Sequence, residues 1–131
     1  MRRLIVFGLL FGFLGIFGSL KPVSAEMAMG KMDMAASSPI TVKGEIIDSA
    51  CYLGMGAKGL SHKQCGIDCV KAGTPVAILE EGTGKIYVLM SNKDKTPLPQ
   101  AVIDKMGETT TIKGTLYTAG GSQIIAVDSV E

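Results

Sequence analysis

Two six-residue segments, TVKGEI at residues 41–46 and TIKGTL at residues 111–116, are near copies of each other and strongly constrain the fold. Each segment alternates apolar and polar residues, which is the pattern of a half-buried β-strand. Each also has an interior glycine, where strands of small barrels bend or bulge. The repeat therefore predicts two neighbouring strands that curve around one small core.

The other predicted elements define an order along the chain. The repeats extend to strands at 40–48 and 109–117, and further strands are predicted at 76–79, 85–90 and 122–130. Apolar spacing over 98–106 predicts one short helix between the third and fourth strands. Three strands, a helix and two strands are typical of the OB-fold, a five-stranded Greek-key barrel. We therefore predict an all-β, OB-like barrel over residues 39–131, in preference to a flat antiparallel sheet with one covering helix.

The first 25 residues have the features of a secretory signal peptide. Arg2 and Arg3 precede an uncharged apolar run over 4–20, and Val23-Ser24-Ala25 matches the small-residue cleavage pattern. The alternative is a permanent membrane anchor, but the apolar run is at the short limit for a spanning helix. We predict cleavage before Glu26, export to the periplasm and no stable membrane insertion afterwards.

Removal of this segment changes the charge of the chain. Ten of the 13 basic residues remain against 12 acidic ones, so the net charge by count becomes −2. The remaining aromatic residues are Tyr52, Tyr87 and Tyr117, and no arginine is left. Nucleic-acid grooves use basic side chains and stacking rings. We therefore expect no nucleic-acid partner.

Residues 26–38 have no apolar period and are predicted to form a flexible arm. The arm contains two Met-x-Met pairs, made by Met27, Met29, Met32 and Met34. Because thioethers are soft ligands that select Cu(I), these residues are candidate auxiliary copper ligands. The alternative is a leader whose methionines have no metal role.

All three cysteines and the only histidine lie in or next to one insertion, residues 49–74, between the first two strands. Ser61 and Gln64 match a helix capping box, and Gly73 supplies a stop. These residues predict a helix over 62–72. The insertion is therefore expected to carry the chemistry, with the barrel as its framework.

On this helix His62, Cys65 and Cys69 are spaced by three and then four residues, so they share one face. Cys51, just after the first strand, can meet that face from the barrel side. Three cysteines and one histidine are a ligand set that tetrahedral Zn²⁺ prefers. Cu(I) accepts the same sulfurs, with or without the histidine. We predict one Zn²⁺ or Cu⁺ ion at this site.

Two further residues are predicted to support the site. Asp48 can orient His62 or the loop as a hydrogen-bond acceptor, and Tyr52 stands beside Cys51. Cys65 lies near the helix N-terminus, where the helix dipole is expected to lower a thiol pKa and favour thiolate.

Two alternatives use the same cysteines. A disulfide from Cys51 to Cys65 or Cys69 could staple the insertion to the barrel. Alternatively, three neighbouring thiols could exchange one disulfide in a redox enzyme or sensor. No catalytic residue is predicted, because one histidine without a partnered serine makes no catalytic triad. The possible protein partner of a stapled interaction module is unknown.

The insertion also resembles a family of small exported bacterial proteins. The resemblance rests on three segments: GEIID-x-x-CY at 44–52, GAKG-x-x-H-x-x-C-x-x-x-C at 56–69 and G-x-PV at 73–76. It implies that the Cys/His site is the signature of that family. No activity follows from it.

Overall fold

Five strands close into a barrel in the computed structural model, which describes residues 36–131. They are β1 (Ala36–Asp48), β2 (Val76–Glu80), β3 (Ile86–Ser91), β4 (Thr109–Ala119) and β5 (Ser122–Val130). The order around the barrel is β1-β2-β3-β5-β4, with β3 and β5 parallel and the other neighbours antiparallel. This confirms the predicted all-β, OB-like barrel, including the neighbouring first and fourth strands.

Three short helices accompany the barrel. Helices α1 (Ser49–Met55) and α2 (Lys63–Lys71) lie in the insertion between β1 and β2, and α2 follows a 3₁₀ turn at Leu60–His62. Helix α3 (Gln100–Ile103) lies between β3 and β4. Within residues 36–131, no helix has the length and apolar character needed to cross a membrane.

Helix α3 is shorter than the prediction for residues 98–106. Pro99 occupies the N-cap, so the helix proper begins at Gln100. After Ile103 the chain turns towards β1, where Met106 forms a bridge with Ile46. The amide of Gly107 also donates a hydrogen bond of 2.8 Å to the carbonyl of Ile46. Pairing with β1 therefore ends the helix at Ile103, although the apolar spacing continues to Met106.

Strand β1 starts earlier than predicted. Ala36 pairs with Thr118 of β4, so the last three residues of the predicted arm belong to the sheet. The predicted signal peptide, residues 1–25, and the remainder of the arm with its four methionines lie outside the described residues.

The two matched glycines allow neighbouring strands to approach closely. A Cβ atom at Gly44 would lie 2.2 Å from the carbonyl oxygen of Leu79, and one at Gly114 would lie 2.1 Å from that of Ala126. The β4–β5 register shifts between Lys113 and Gly114, which is the predicted irregularity in the second repeat. A side chain at either glycine would force adjacent backbones apart.

The end of β1 is buried on both sides. Val42 and Ile46 face the main core, and Asp48, two residues further along the same face, is 0% exposed. Ile47 points the other way, into a small cluster covered by Tyr52 of α1. The main core consists of Val42, Ile46, Val76, Ile78, Tyr87, Leu89, Val102, Met106, Ile112, Ile125 and Val127. The insertion therefore covers the end of the strand that leads into it.

Candidate metal centre

Helix α1 places Cys51 directly after β1. Its N-cap is Asp48, whose Oδ1 accepts a hydrogen bond of 2.8 Å from the amide of Cys51. The helix ends at Gly56, which adopts the left-handed conformation with φ 69°. Sequence reasoning did not predict α1, although an aspartate N-cap and a glycine just past the last turn are standard helix boundaries.

The start of α2 differs from the predicted capping box. His62 occupies the N-cap, no side-chain cap is formed, and Ser61 is exposed within the preceding 3₁₀ turn. The capping prediction is therefore wrong. Instead, Glu45 of β1 accepts a hydrogen bond from the amide of Gly59, so a barrel carboxylate holds the turn that leads into the helix.

Helix α2 lies closely against the end of the barrel. Its one buried residue is Gly66, and a Cβ atom there would lie 2.9 Å from Sδ of Met106 and 3.4 Å from Oδ2 of Asp48. Ile67 and Val70 of the same helix pack against the main core. Sequence reasoning missed Gly66; a glycine inside a helical pattern is the signal that could have found it.

The three thiols converge although they come from two helices. The Sγ atoms of Cys51, Cys65 and Cys69 all lie within 4.8 Å of one another. Cys51 and Cys69 are half-buried with their sulfurs 3.7 Å apart, whereas Cys65 is exposed. All three thiols are free, so the alternative disulfide staple is not formed.

His62 belongs to a second group that shares Cys51. Its Nε2 lies 2.9 Å from Oδ2 of the buried Asp48, and Asp48, Cys51 and His62 offer ligand atoms within 4.8 Å of one another. A carboxylate only accepts hydrogen bonds, so Nε2 of His62 donates to Asp48 in this contact. The four predicted ligands thus form two overlapping groups rather than one.

Tyr52 has a packing role in this structure. It is half-buried and packs against the small cluster of Ile47, Ala77 and Leu79 on the outer side of the sheet. This contact holds α1 on the barrel and so helps to fix the position of the adjacent Cys51.

Two of the three thiols, those of Cys51 and Cys65, have a raised pKa. The hydrogen bond with Asp48, the neighbouring Cys69 thiol and burial together raise the pKa of Cys51 to about 12. Partial loss of water around the sulfur, although the residue is exposed, and the Cys69 thiol also raise the pKa of Cys65, so the predicted lowering by the helix N-terminus is wrong. Removal from water and a neighbouring negative sulfur both disfavour a thiolate, and here they outweigh the helix dipole.

The pKa of Asp48 shifts in the opposite direction to the pKa of these two thiols. Burial alone would raise its pKa, but hydrogen bonds from the Cys51 amide and from His62 hold the pKa of this carboxyl below its ordinary value. The centre therefore combines a buried carboxylate with two thiols, Cys51 and Cys65, whose ionisation a nearby cation would favour. A bound metal ion is a cation of this kind, since it binds thiolate and displaces the thiol proton.

Comparisons of the chain with protein-family models, with curated proteins and with solved structures found no match. What the site can do follows from its own geometry. Cysteine, histidine and aspartate side chains converge in two groups, each of which could hold a metal ion. The chain thus carries a candidate metal centre on an OB-like barrel.

Proposed function

We propose that this protein is an exported metal-binding protein that holds one Zn²⁺ or Cu⁺ ion at Cys51, Cys65 and Cys69. His62 completes the ligand set for zinc, and Asp48 orients both His62 and Cys51. The protein acts in metal homeostasis and not in catalysis.

The convergence of three sulfurs carries this proposal. A tetrahedral ion with sulfur ligands at about 2.3 Å separates those ligands by about 3.8 Å. Cys51 and Cys69 are already 3.7 Å apart, and Cys65 is within 4.8 Å of both. A disulfide needs a sulfur–sulfur distance of about 2.05 Å, so it requires a larger movement than metal binding. The spacing favours an ion between the thiols over a staple or a redox pair.

The Asp48–His62 pair favours a supporting role for Asp48. Histidines that bind metals commonly donate their second ring N–H to a carboxylate, which fixes the tautomer and the ring orientation. Here Asp48 is buried and accepts from Nε2 of His62. Zn²⁺ would take His62, which groups with Cys51, as a fourth ligand beside the three sulfurs, whereas Cu⁺ is satisfied by the sulfurs alone.

Metal titration of single-site variants tests this function. We expect Cys51→Ser, Cys65→Ser and Cys69→Ser each to weaken Zn²⁺ and Cu⁺ binding strongly, measured by competition with a coloured chelator for each metal under reducing conditions. Gln64→Ala is the matched control, because Gln64 is exposed on α2 next to Cys65. It should bind both metals as the unaltered protein does.

The histidine is tested separately. We expect His62→Ala to weaken Zn²⁺ binding by about tenfold or more, since ligand and supporting positions have effects of this size, and to leave Cu⁺ binding nearly unchanged. Equal affinity of all three cysteine variants and the unaltered protein would contradict the proposed site.

A further inference from the structure

We propose that Met55 is an additional thioether ligand at this centre and makes it selective for Cu(I). The proposal rests on the proposed metal-binding function and adds one residue to its ligand set. Met55 would approach the ion from the exposed side, next to the three thiols.

Helix geometry brings Met55 towards Cys51. The two residues are four apart within α1 (Ser49–Met55), so they are neighbours on one face, with Cβ atoms about 5–6 Å apart. Helical side chains lean towards the N-terminus. A side chain at position 55 that follows this direction would reach back over the turn that contains Cys51, whose sulfur lies 3.7 Å from that of Cys69.

The exposure of Met55 leaves its sulfur available. Met55 is 75% exposed, the highest value among the large apolar side chains of the described residues, whereas Met106 is 1% exposed and packs in the core. A buried methionine fills space in the core, whereas an exposed one contributes little packing. Its thioether can rotate about three flexible bonds towards the thiols without disturbing the barrel.

The chemistry of the thioether determines which ion benefits. Thioethers are soft, neutral donors that select Cu(I), whereas Zn²⁺ is bound by thiolate, imidazole and carboxylate. Met55 would thus strengthen Cu(I) binding with little effect on Zn²⁺. Because Cys65 is also exposed, the ion would have two solvent-facing ligands. This arrangement suits transfer of the ion to another molecule that offers soft ligands.

The test compares Met55→Leu with Met90→Leu. Leucine keeps the apolar character and removes only the sulfur, and Met90 is an exposed methionine on β3, outside the insertion. We expect Met55→Leu to weaken Cu(I) binding about tenfold, a change of about 1.4 kcal/mol, with unchanged Zn²⁺ affinity. X-ray absorption of the Cu(I) form should show one fewer sulfur neighbour. Met90→Leu should change none of these quantities.

Three results would overturn the assignment of Met55. The first is a Met55→Leu variant with unchanged Cu(I) affinity and an unchanged number of sulfur neighbours. The second is a Met90→Leu variant that loses as much Cu(I) affinity as Met55→Leu. The third is a Met55→Leu variant that loses Cu(I) and Zn²⁺ affinity equally. The cysteine variants separate this failure from that of the proposed function. If they lose metal while Met55→Leu does not, only Met55 is excluded; if they bind as the unaltered protein does, both proposals fall.

Discussion

The barrel and the insertion are built in different ways. The five strands enclose a continuous apolar core whose members are at most 5% exposed and are tied by a closed hydrogen-bond ladder. The two insertion helices contain one buried residue, Gly66, and α1 contains none. Yet, among residues 36–131, all candidate metal ligands lie in the insertion or at its junction with β1. Stability and chemistry therefore reside in different parts of the molecule.

Carboxylates from the barrel connect these two regions. Asp48 contacts both Cys51 and His62, Glu45 accepts from the amide of Gly59, and Glu108 pairs with Lys63 at 2.6 Å. Apolar contacts of Tyr52, Ile67 and Val70 hold the two helices on the barrel, and these polar contacts fix the insertion at its ends. The comparison shows how a rigid barrel can position ligands on short helices that would not be stable alone.

The largest effect is expected in the barrel core. Ile46→Ala removes a side chain that is 0% exposed, and we expect a loss of about 2–5 kcal/mol in the free energy of unfolding, because buried isoleucine truncation leaves a cavity. Leu53→Ala in α1 removes a side chain that is 70% exposed and should cost no more than about 0.5 kcal/mol. Denaturant unfolding of the metal-free protein measures both. Similar losses for the two variants would contradict the separation of stability from chemistry.

A smaller effect is expected where the regions meet. Asp48→Asn keeps the size of the side chain but removes its charge and one acceptor atom, so the amide of Cys51 and Nε2 of His62 compete for one oxygen. We expect a loss of about 1–3 kcal/mol in the free energy of unfolding near pH 7, as for a buried polar group left without a partner. Asp68→Asn, at an exposed position on α2, is the matched control and should be nearly neutral.

The effect of Asp48→Asn should depend on pH. Since hydrogen bonds hold the pKa of Asp48 below its ordinary value, its carboxylate stabilises the folded state above the unfolded pKa of about 4, and this stabilisation is lost as pH falls through the folded pKa. The difference in stability between the metal-free protein and Asp48→Asn should therefore shrink below about pH 4. A difference that stays constant down to pH 2 would show that the charge of Asp48 is not responsible.

The barrel was predictable because its pattern is local and repeated. Alternation in the TVKGEI and TIKGTL segments identified neighbouring strands, and the fifth strand was predicted with its observed bounds, Ser122–Val130. The helix before β4 was predicted too long, since pairing of Met106 with Ile46 depends on two distant segments. Local patterns specify elements well but do not show where tertiary pairing ends them.

The insertion was predictable only in part. Spacing identified the cysteines and His62, and the suggested contact of Asp48 with His62 is present. The predicted helix over 62–72 was one residue too long at each end: His62 is the N-cap of α2, because the chain enters the helix through a 3₁₀ turn held by the barrel. The predicted direction of the pKa shift of Cys65 was also wrong, since the shift depends on loss of water around the sulfur and on the Cys69 thiol, which the local sequence does not show.

Native mass spectrometry tests the central claim most directly. The protein would be purified without added metal or chelator and weighed before and after mild acidification. We expect a mass above that of the polypeptide by one zinc or one copper ion, which is lost in acid because protons displace the metal from its thiolate ligands. A mass two hydrogens below that of the reduced chain, with no metal bound, would instead show a disulfide among Cys51, Cys65 and Cys69 and would contradict the metal centre.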